Sequence, residues 1–83
     1  MEIIAHHEEK LVGIAALLAE AEGPLTIWEI AARMTWNRPW ADFPAILRGM
    51  AASEAAAHLR TLEVRGVIRR TTEIDPVRFA LHS

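Results

Sequence analysis

The chain has 83 residues, and its nine Lys and Arg against eleven Asp and Glu give a formal net charge of −2. Because DNA-binding domains usually present a basic surface, this balance argues against a dedicated DNA-binding protein. The absence of cysteine excludes disulfides and thiolate metal sites, and the absence of a run of about 18 apolar residues excludes a membrane-spanning helix.

The first half of the chain predicts two helices. Apolar residues recur at intervals of three and four from about residue 2 to 22, and Gly23 with the proline after it ends this helix. Thr26 and Glu29 have the spacing of a capping box, in which each side chain accepts a hydrogen bond from the backbone N–H of the other residue. A second helix is therefore expected over residues 27–34.

The second half predicts two further helices and a β-hairpin, after a loop that holds two tryptophans and two prolines. Asp42 is the expected N-cap of the third helix, and a bend or break is expected at Gly49 because glycine weakens a helix interior. Gly66 is a residue typical of the position just after a helix C-terminus. The expected elements are helices over about residues 42–49 and 50–65 and strands over about residues 67–72 and 77–81.

The order of a helix, a short extended segment, further helices and a hairpin is typical of a winged helix-turn-helix. We therefore expect residues 1–83 to form one mainly α domain with a small β-hairpin. It should contain three to four helices and a two- or three-stranded antiparallel wing. In such a domain the helix before the hairpin usually enters the DNA major groove, so its outward side chains indicate whether DNA is the partner.

The helix before the hairpin combines an apolar stripe with an opposite side that carries little charge. Its expected core stripe consists of Ala52, Ala55, Leu59 and Leu62. The opposite side presents Ser53, Ala57, Arg60, Thr61 and Val64, flanked by His58 and Arg65. A DNA-reading helix should instead offer several Arg, Lys, Asn or Gln side chains to base edges. A solvated face and a protein-contact face are therefore the two favoured interpretations, and a DNA-reading face is the less favoured third.

The hairpin is the more basic element, with Arg69, Arg70 and Arg78 on or beside it. Neighbouring strand residues point to opposite faces, so Arg69 and Arg70 cannot join one patch, and Arg78 is expected across from one of them. Glu73 and Asp75 at the expected tip would repel phosphate. An edge hairpin kept soluble by its charges is thus favoured over a phosphate-binding wing.

Three tryptophans in so short a chain point to a contact surface. Hydrophobic residues make up 52% of the sequence, which is more than a small core easily buries, and tryptophan is enriched at interface hot spots. In the alternative interpretation, the two loop tryptophans fold back and close the core beneath the loop. The candidate partner-contact residues are Trp28, Trp36, Trp40, Ala57, Arg60 and Val64.

The sequence carries no recognisable catalytic motif. His6 and His7 are adjacent, so on a helix their side chains point about 100° apart and cannot share one metal ion well. His7 fits better as a core or rim histidine. The chain has no HExxH, no phosphate-binding glycine loop and no nucleophile elbow. We expect neither catalysis nor a bound cofactor or metal from this chain alone.

Three segments together resemble one known family. AHHEEKLVGIAALLAEAEGPLTIWEIAARM has a histidine near the start of its helix and a Gly-Pro-Leu-Thr turn before the next helix. WNRPWADFPAI is similar to a tryptophan- and proline-containing insertion, and AAHLRTLEVRGVIRR has a His-Leu pair, a Leu-Glu pair and a Gly-Val strand start. These features, over about residues 5–72, resemble the C-terminal winged-helix domain of a group of metallo-β-lactamase-fold hydrolases.

The resemblance implies a non-catalytic accessory domain. In that family the catalytic domain precedes this one and carries a zinc-binding HxHxDH motif, which this chain lacks. The implied parent is a zinc-dependent hydrolase, and the implied partner is its catalytic domain in cis, whose active-site rim this domain would help to shape. We further expect a homodimer through the exposed apolar face, a cytoplasmic location and no membrane contact. The alternative is a small DNA-binding transcriptional regulator.

Overall fold

The computed structural model describes residues 2–36, 38–71 and 76–82, with side chains from residue 8 onward. Within these ranges the protein is mainly helical and carries a three-stranded antiparallel sheet. The helices are α1 (Glu2–Glu20), α2 (Ile27–Arg33) and α3 (Ala45–Val64), the strands are β1 (Leu25–Thr26), β2 (Ile68–Arg70) and β3 (Arg78–Leu81), and a 3-10 turn spans Trp40–Asp42. The acids expected at the hairpin tip, Glu73 and Asp75, and the side chains of His6 and His7 lie outside the described residues.

The start of α2 is fixed by the capping box that the sequence predicts. The Thr26 hydroxyl accepts the backbone N–H of Glu29 at 3.2 Å, and the Glu29 carboxylate accepts the backbone N–H of Thr26 at 2.8 Å. These bonds give partners to N–H groups that a helix start would otherwise leave unsatisfied. The preceding helix α1 ends at Glu20, slightly before the predicted residue 22.

α3 is one continuous helix, so the predicted break at Gly49 and the division into two helices are wrong. A single glycine weakens a helix by only about 1 kcal/mol relative to alanine. Two and three residues after it, Ala51 and Ala52 are buried against the rest of the domain. Tertiary packing on the C-terminal side of Gly49 therefore outweighs the local preference for a bend.

The start of α3 also differs from the prediction. Asp42 is not the N-cap, because it belongs to the 3-10 turn and the helix begins after Pro44, where no side chain provides a cap. A residue that precedes proline avoids helical backbone angles, so a helix cannot easily run from Asp42 through Pro44. Arg48 connects the two elements instead, since its Nη2 donates to the backbone oxygens of Trp40 at 3.2 Å and Ala41 at 3.5 Å.

Gly66 ends α3 as the sequence predicts, with a positive φ of 76°. The N–H of Gly66 donates to the Glu63 oxygen at 3.0 Å, and the N–H of Val67 donates to the Leu62 oxygen at 3.0 Å. This pair of bonds is a Schellman motif, which satisfies the last carbonyls of the helix. The chain thereby turns directly from α3 into β2.

β3 is the central strand of the sheet, with β1 on one side and β2 on the other. Both pairings are antiparallel, with Leu25 opposite Phe79 and Ile68 opposite Leu81. β2 and β3 form the predicted antiparallel pair, although both are shorter than predicted. The sheet therefore joins the short extended segment before α2 to the two strands that follow α3.

Among the described side chains, the core consists of two clusters. The larger one contains Leu11, Ile14, Leu18, Leu25, Ile30, Leu59, Leu62, Ile68 and Phe79. The smaller one contains Ala31, Ala52 and Ala55, with Trp36 and Trp40 packed against it. All four residues of the predicted core stripe of α3 are buried in these clusters. Because the smaller cluster is built from alanines, the larger side chains packed against it are those of Ile27, Met34, Trp36 and Trp40.

Candidate protein-contact surfaces

The side of α3 that faces away from the core carries a second row of side chains. We define the outer stripe as Ile46, Met50, Ser53, Ala57, Arg60 and Val64. Alternate steps of four and three residues place them on one side of a continuous helix. All six are exposed, and the apolar members Ile46, Met50 and Val64 are 75%, 62% and 75% exposed. Single exposed apolar residues are ordinary, but several on one helix face mark a candidate contact surface.

Sequence reasoning missed two members of the outer stripe, Ile46 and Met50. They were missed because a helix break was expected at Gly49, which would have ended the outer stripe there. The alternation of three and four residues nevertheless continues from Val64 back to Met50 and Ile46. His58 also differs from its expected place beside the outward face, because it is buried and only 5% exposed. Its position one helical turn from Leu62 explains why it shares the core side.

Cations at the end of α3 and in β2 are engaged by neighbouring carboxylates. The Arg65 guanidinium donates to both carboxylate oxygens of Glu8, at 3.0 and 3.2 Å, and these hydrogen bonds raise the pKa of Arg65. Arg70 Nε donates to Glu63 at 2.8 Å. Exposed ion pairs contribute little to stability, but they offset the positive charge that a phosphate-binding surface needs.

The arginines of the sheet do not form one patch. The Thr71 N–H donates to the Arg78 oxygen at 2.9 Å, so Arg78 lies opposite Thr71. The expectation that Arg78 lies opposite Arg69 or Arg70 is therefore wrong. Because strand residues alternate, Arg69 and Arg78 share one face and Arg70 belongs to the other. There its guanidinium lies 5.6 Å from the centre of the Phe79 ring.

Trp36 and Trp40 fold back onto the core from the loop before α3. The Trp36 indole N–H donates to the backbone oxygen of Ala31 at 2.8 Å. Both rings contact Phe43, with ring centres 6.1 and 5.5 Å apart. Both tryptophans are half-buried against the smaller core cluster. Their placement follows the alternative interpretation, in which these rings close the core beneath the loop.

A cation lies over each of these two rings. Lys10 Nζ is 4.3 Å from the centre of the Trp36 ring, and the Arg48 guanidinium carbon is 5.4 Å from that of Trp40. With the phenylalanine between them, the rings and cations form a continuous row that ties α1, the loop and α3 together. Trp28 differs, because it is 55% exposed and no cation lies over its ring in the part of the chain that the structure describes.

Among the described residues, open grooves border the outer stripe on several sides, and one of them is lined by Arg60, Glu63, Val64 and Arg70. The loop groove, of about 530 Å³, is lined mainly by Trp36, Arg38, Phe43, Leu47, Met50 and Glu54. The Trp28 cleft, of about 430 Å³, is lined mainly by Trp28, Gly49, Ser53, Ala56, Pro76 and Val77. The six predicted contact residues thus separate into a loop pair, Trp36 and Trp40, and a group on or beside the outer stripe, Trp28, Ala57, Arg60 and Val64.

Comparison with protein-family models, with curated proteins and with solved structures finds no match. Among the described side chains, no group of three or more metal-binding residues is placed to hold a metal ion. None of the described helices combines the length and the apolar character needed to cross a membrane. The outer stripe and the loop groove are therefore the candidate functional surfaces among the described residues.

Proposed function

We propose that the chain is a winged-helix protein-interaction domain that serves as the non-catalytic C-terminal accessory domain of a zinc-dependent metallo-β-lactamase-fold hydrolase. The element order α1-β1-α2-α3-β2-β3 and the sheet order β1-β3-β2 support the winged-helix part of this proposal. The resemblance of the three sequence segments supports the hydrolase part. In this arrangement zinc belongs to the catalytic domain of the parent, and this chain supplies a contact surface.

The apolar character of the outer stripe is the observation that favours a protein-interaction domain over a DNA-binding one, and it carries this part of the proposal. In a DNA-reading winged helix this face of α3 would offer polar and cationic side chains to bases and phosphates. Here it exposes Ile46, Met50 and Val64, with Arg60 as the single cation of the stripe. Such a face suits the centre of a protein interface, which is depleted in charge.

The loop groove is the surface that we assign to the catalytic domain. Its walls are aromatic and aliphatic, while Arg38 and Glu54 supply charges beside them. An apolar centre with a polar rim is the usual composition of an interface between proteins. The hydrogen bond and the cation that hold Trp36 keep one wall rigid, so docking orders few additional side chains. Packed there, the domain would shape the rim of the parent's active site.

A DNA-binding regulator is the second candidate, because Arg69 and Arg78 are exposed on one face of the sheet. Two cations neutralise few phosphates, and the number of neutralised phosphates sets how steeply binding falls with salt. The DNA affinity of this chain should therefore be weak and its salt dependence shallow.

Calorimetry with separate polypeptides tests the proposal. A metallo-β-lactamase-fold hydrolase domain from the same genome is titrated into the chain, and we expect binding with a negative heat-capacity change. Leu47→Glu places a charge in the loop groove and should weaken binding at least about tenfold. Val12→Glu is the matched control, because Val12 is 67% exposed on α1 and does not line the groove.

Three results would contradict the proposal. In the first, Leu47→Glu and Val12→Glu both bind the hydrolase domain as tightly as the unmodified chain does. In the second, neither the unmodified chain nor either variant binds it. The third is sequence-preferring binding of duplex DNA with a Kd of about 10 nM at physiological salt, which is in the range of specific regulators.

A further inference from the structure

We propose that the outer stripe pairs with the outer stripe of a second copy of this chain, with the two α3 helices antiparallel around a two-fold axis. This inference goes beyond the proposed function and uses a surface that shares only Met50 with the loop groove. Symmetric pairs that use the same patch twice are by far the commonest closed form of protein oligomer.

The outer stripe is symmetric about its own midpoint in the size of its side chains. In an antiparallel pair centred at the level of Ala55, the facing layers are Ile46 with Val64, Met50 with Arg60, and Ser53 with Ala57. The small layer lies at the centre, where it lets the two backbones approach. The bulky layer of Ile46 and Val64 lies at each end, where two side chains that are each 75% exposed would cover one another.

Arg60 favours the antiparallel arrangement over the parallel one. A parallel pair would place Arg60 beside Arg60 of the second copy, and like charges facing each other across an interface are unfavourable. The antiparallel pair places it beside Met50 of the second copy instead. The methylene stem of Arg60 can then pack on the thioether while the charged head extends past it.

The Trp28 cleft provides a contact for the head of Arg60. The flank of α3 that carries Arg60 also carries Gly49 and Ser53, which line this cleft. A two-fold axis perpendicular to both helices brings the same flanks together, so Arg60 lies at the cleft of the second copy. Both loop tryptophans already have a cation over their rings. Arg60 of the second copy would give Trp28 the same kind of contact.

The size of the contact predicts a weak dimer. The outer stripe runs about 27 Å along α3 at 1.5 Å per residue. One helix pair of this length buries less than the roughly 1,200 Å² that specific, stable complexes bury. We therefore expect a dissociation constant of about 10 to 100 µM, and a mainly monomeric chain at low micromolar concentration.

Sedimentation equilibrium of the chain between about 5 and 500 µM tests the pairing by mass action. We expect the weight-average mass to rise from 9.3 kDa toward twice that value. Ile46→Lys and Val64→Glu should each keep the chain monomeric, and both positions are so exposed that circular dichroism should show an intact fold. Val12→Lys is the control, because this equally apolar residue on α1 is 67% exposed and its variant should dimerise as the unmodified chain does.

Mixing the two monomeric variants tests the antiparallel arrangement. In a mixed pair the lysine of one chain faces the glutamate of the other, while the opposite end keeps the unmodified contact of Ile46 with Val64. The mixture should therefore dimerise at least about tenfold more tightly than either variant alone. An unmodified chain that stays at 9.3 kDa, variants that dimerise as tightly as it does, or a mixture without rescue would overturn the proposal.

The two proposals fail separately. Neither Ile46 nor Val64 lines the loop groove, so the monomeric variants should still bind the hydrolase domain. Conversely, Leu47→Glu should weaken that binding without preventing dimerisation, because Leu47 lies outside the outer stripe.

Discussion

Replacing Trp36 by alanine should destabilise the domain far more than replacing Trp28 by alanine. Trp36→Ala removes a half-buried indole, which costs about 2 kcal/mol when scaled from the about 3–5 kcal/mol of a fully buried aromatic ring. It also removes the 2.8 Å hydrogen bond to Ala31, about 1 kcal/mol, and the Lys10 contact at 4.3 Å, about 0.5 kcal/mol. The sum of about 3.5 kcal/mol is a large part of the roughly 4–12 kcal/mol expected for a domain of this size.

Trp28→Ala is the matched control, because it deletes the same atoms from a ring that is 55% exposed. Its expected cost is no more than about 1 kcal/mol, since little apolar surface returns to water. The assay is urea unfolding followed by far-UV circular dichroism at about 5 µM, below the expected dimer dissociation constant. Equal losses for the two variants, or a larger loss for Trp28→Ala, would refute the assignment of Trp36 to the core.

Two further predictions concern helix ends and continuity. The hydrogen bonds from the backbone N–H and the hydroxyl of Thr26 hold the pKa of Glu29 below its ordinary value of 4.5. The resulting stabilisation is complete above that pH and is lost as the pH falls through the lowered pKa, so Glu29→Gln should flatten the acid side of the stability curve, measured by urea midpoints between about pH 3 and 6. An unchanged acid side would contradict the capping role. Gly49→Ala should raise the free energy of unfolding by about 0.5–1 kcal/mol, because a methyl group there meets open space. A loss of stability in urea unfolding would instead indicate a bend in α3.

Local chemistry sufficed to predict the ends of two helices. The capping box needs only Thr26 and Glu29, whose partners lie within one helical turn. The end of α3 needs only a residue that adopts a positive φ without strain, and Gly66 provides it. Both signals depend on neighbours in sequence, so no knowledge of the folded core was required.

The start and the continuity of α3 were not predicted, because nearby residues override the signals that Gly49 and Asp42 give singly. Gly49 and Asp42 give local signals for a break and for a cap. Burial of Ala51, two residues after Gly49, overrides the signal for a break. Pro44, and the hydrogen bond from Arg48 to the backbone oxygen of Trp40 in the 3-10 turn, override the signal for a cap at Asp42.

The candidate surfaces were predictable in the same uneven way. Helical periodicity was enough to place Ala57, Arg60 and Val64 on the outward face, as observed. It could not place Trp36, whose position depends on a carbonyl oxygen at the end of α2 that accepts its indole N–H. No spacing in the sequence predicts such a hydrogen bond, so the sequence alone could not decide whether the loop tryptophans belong to the core or to a contact surface.

The central position of β3 has a consequence for synthesis on the ribosome. β1 and β2 each pair with β3 and not with one another, yet β3 follows every other described element along the chain. The helices can form as they leave the ribosome, whereas the sheet waits for the final strand, because its contacts span most of the sequence. A chain that ends before Arg78 therefore lacks the one strand with which both β1 and β2 pair in this sheet.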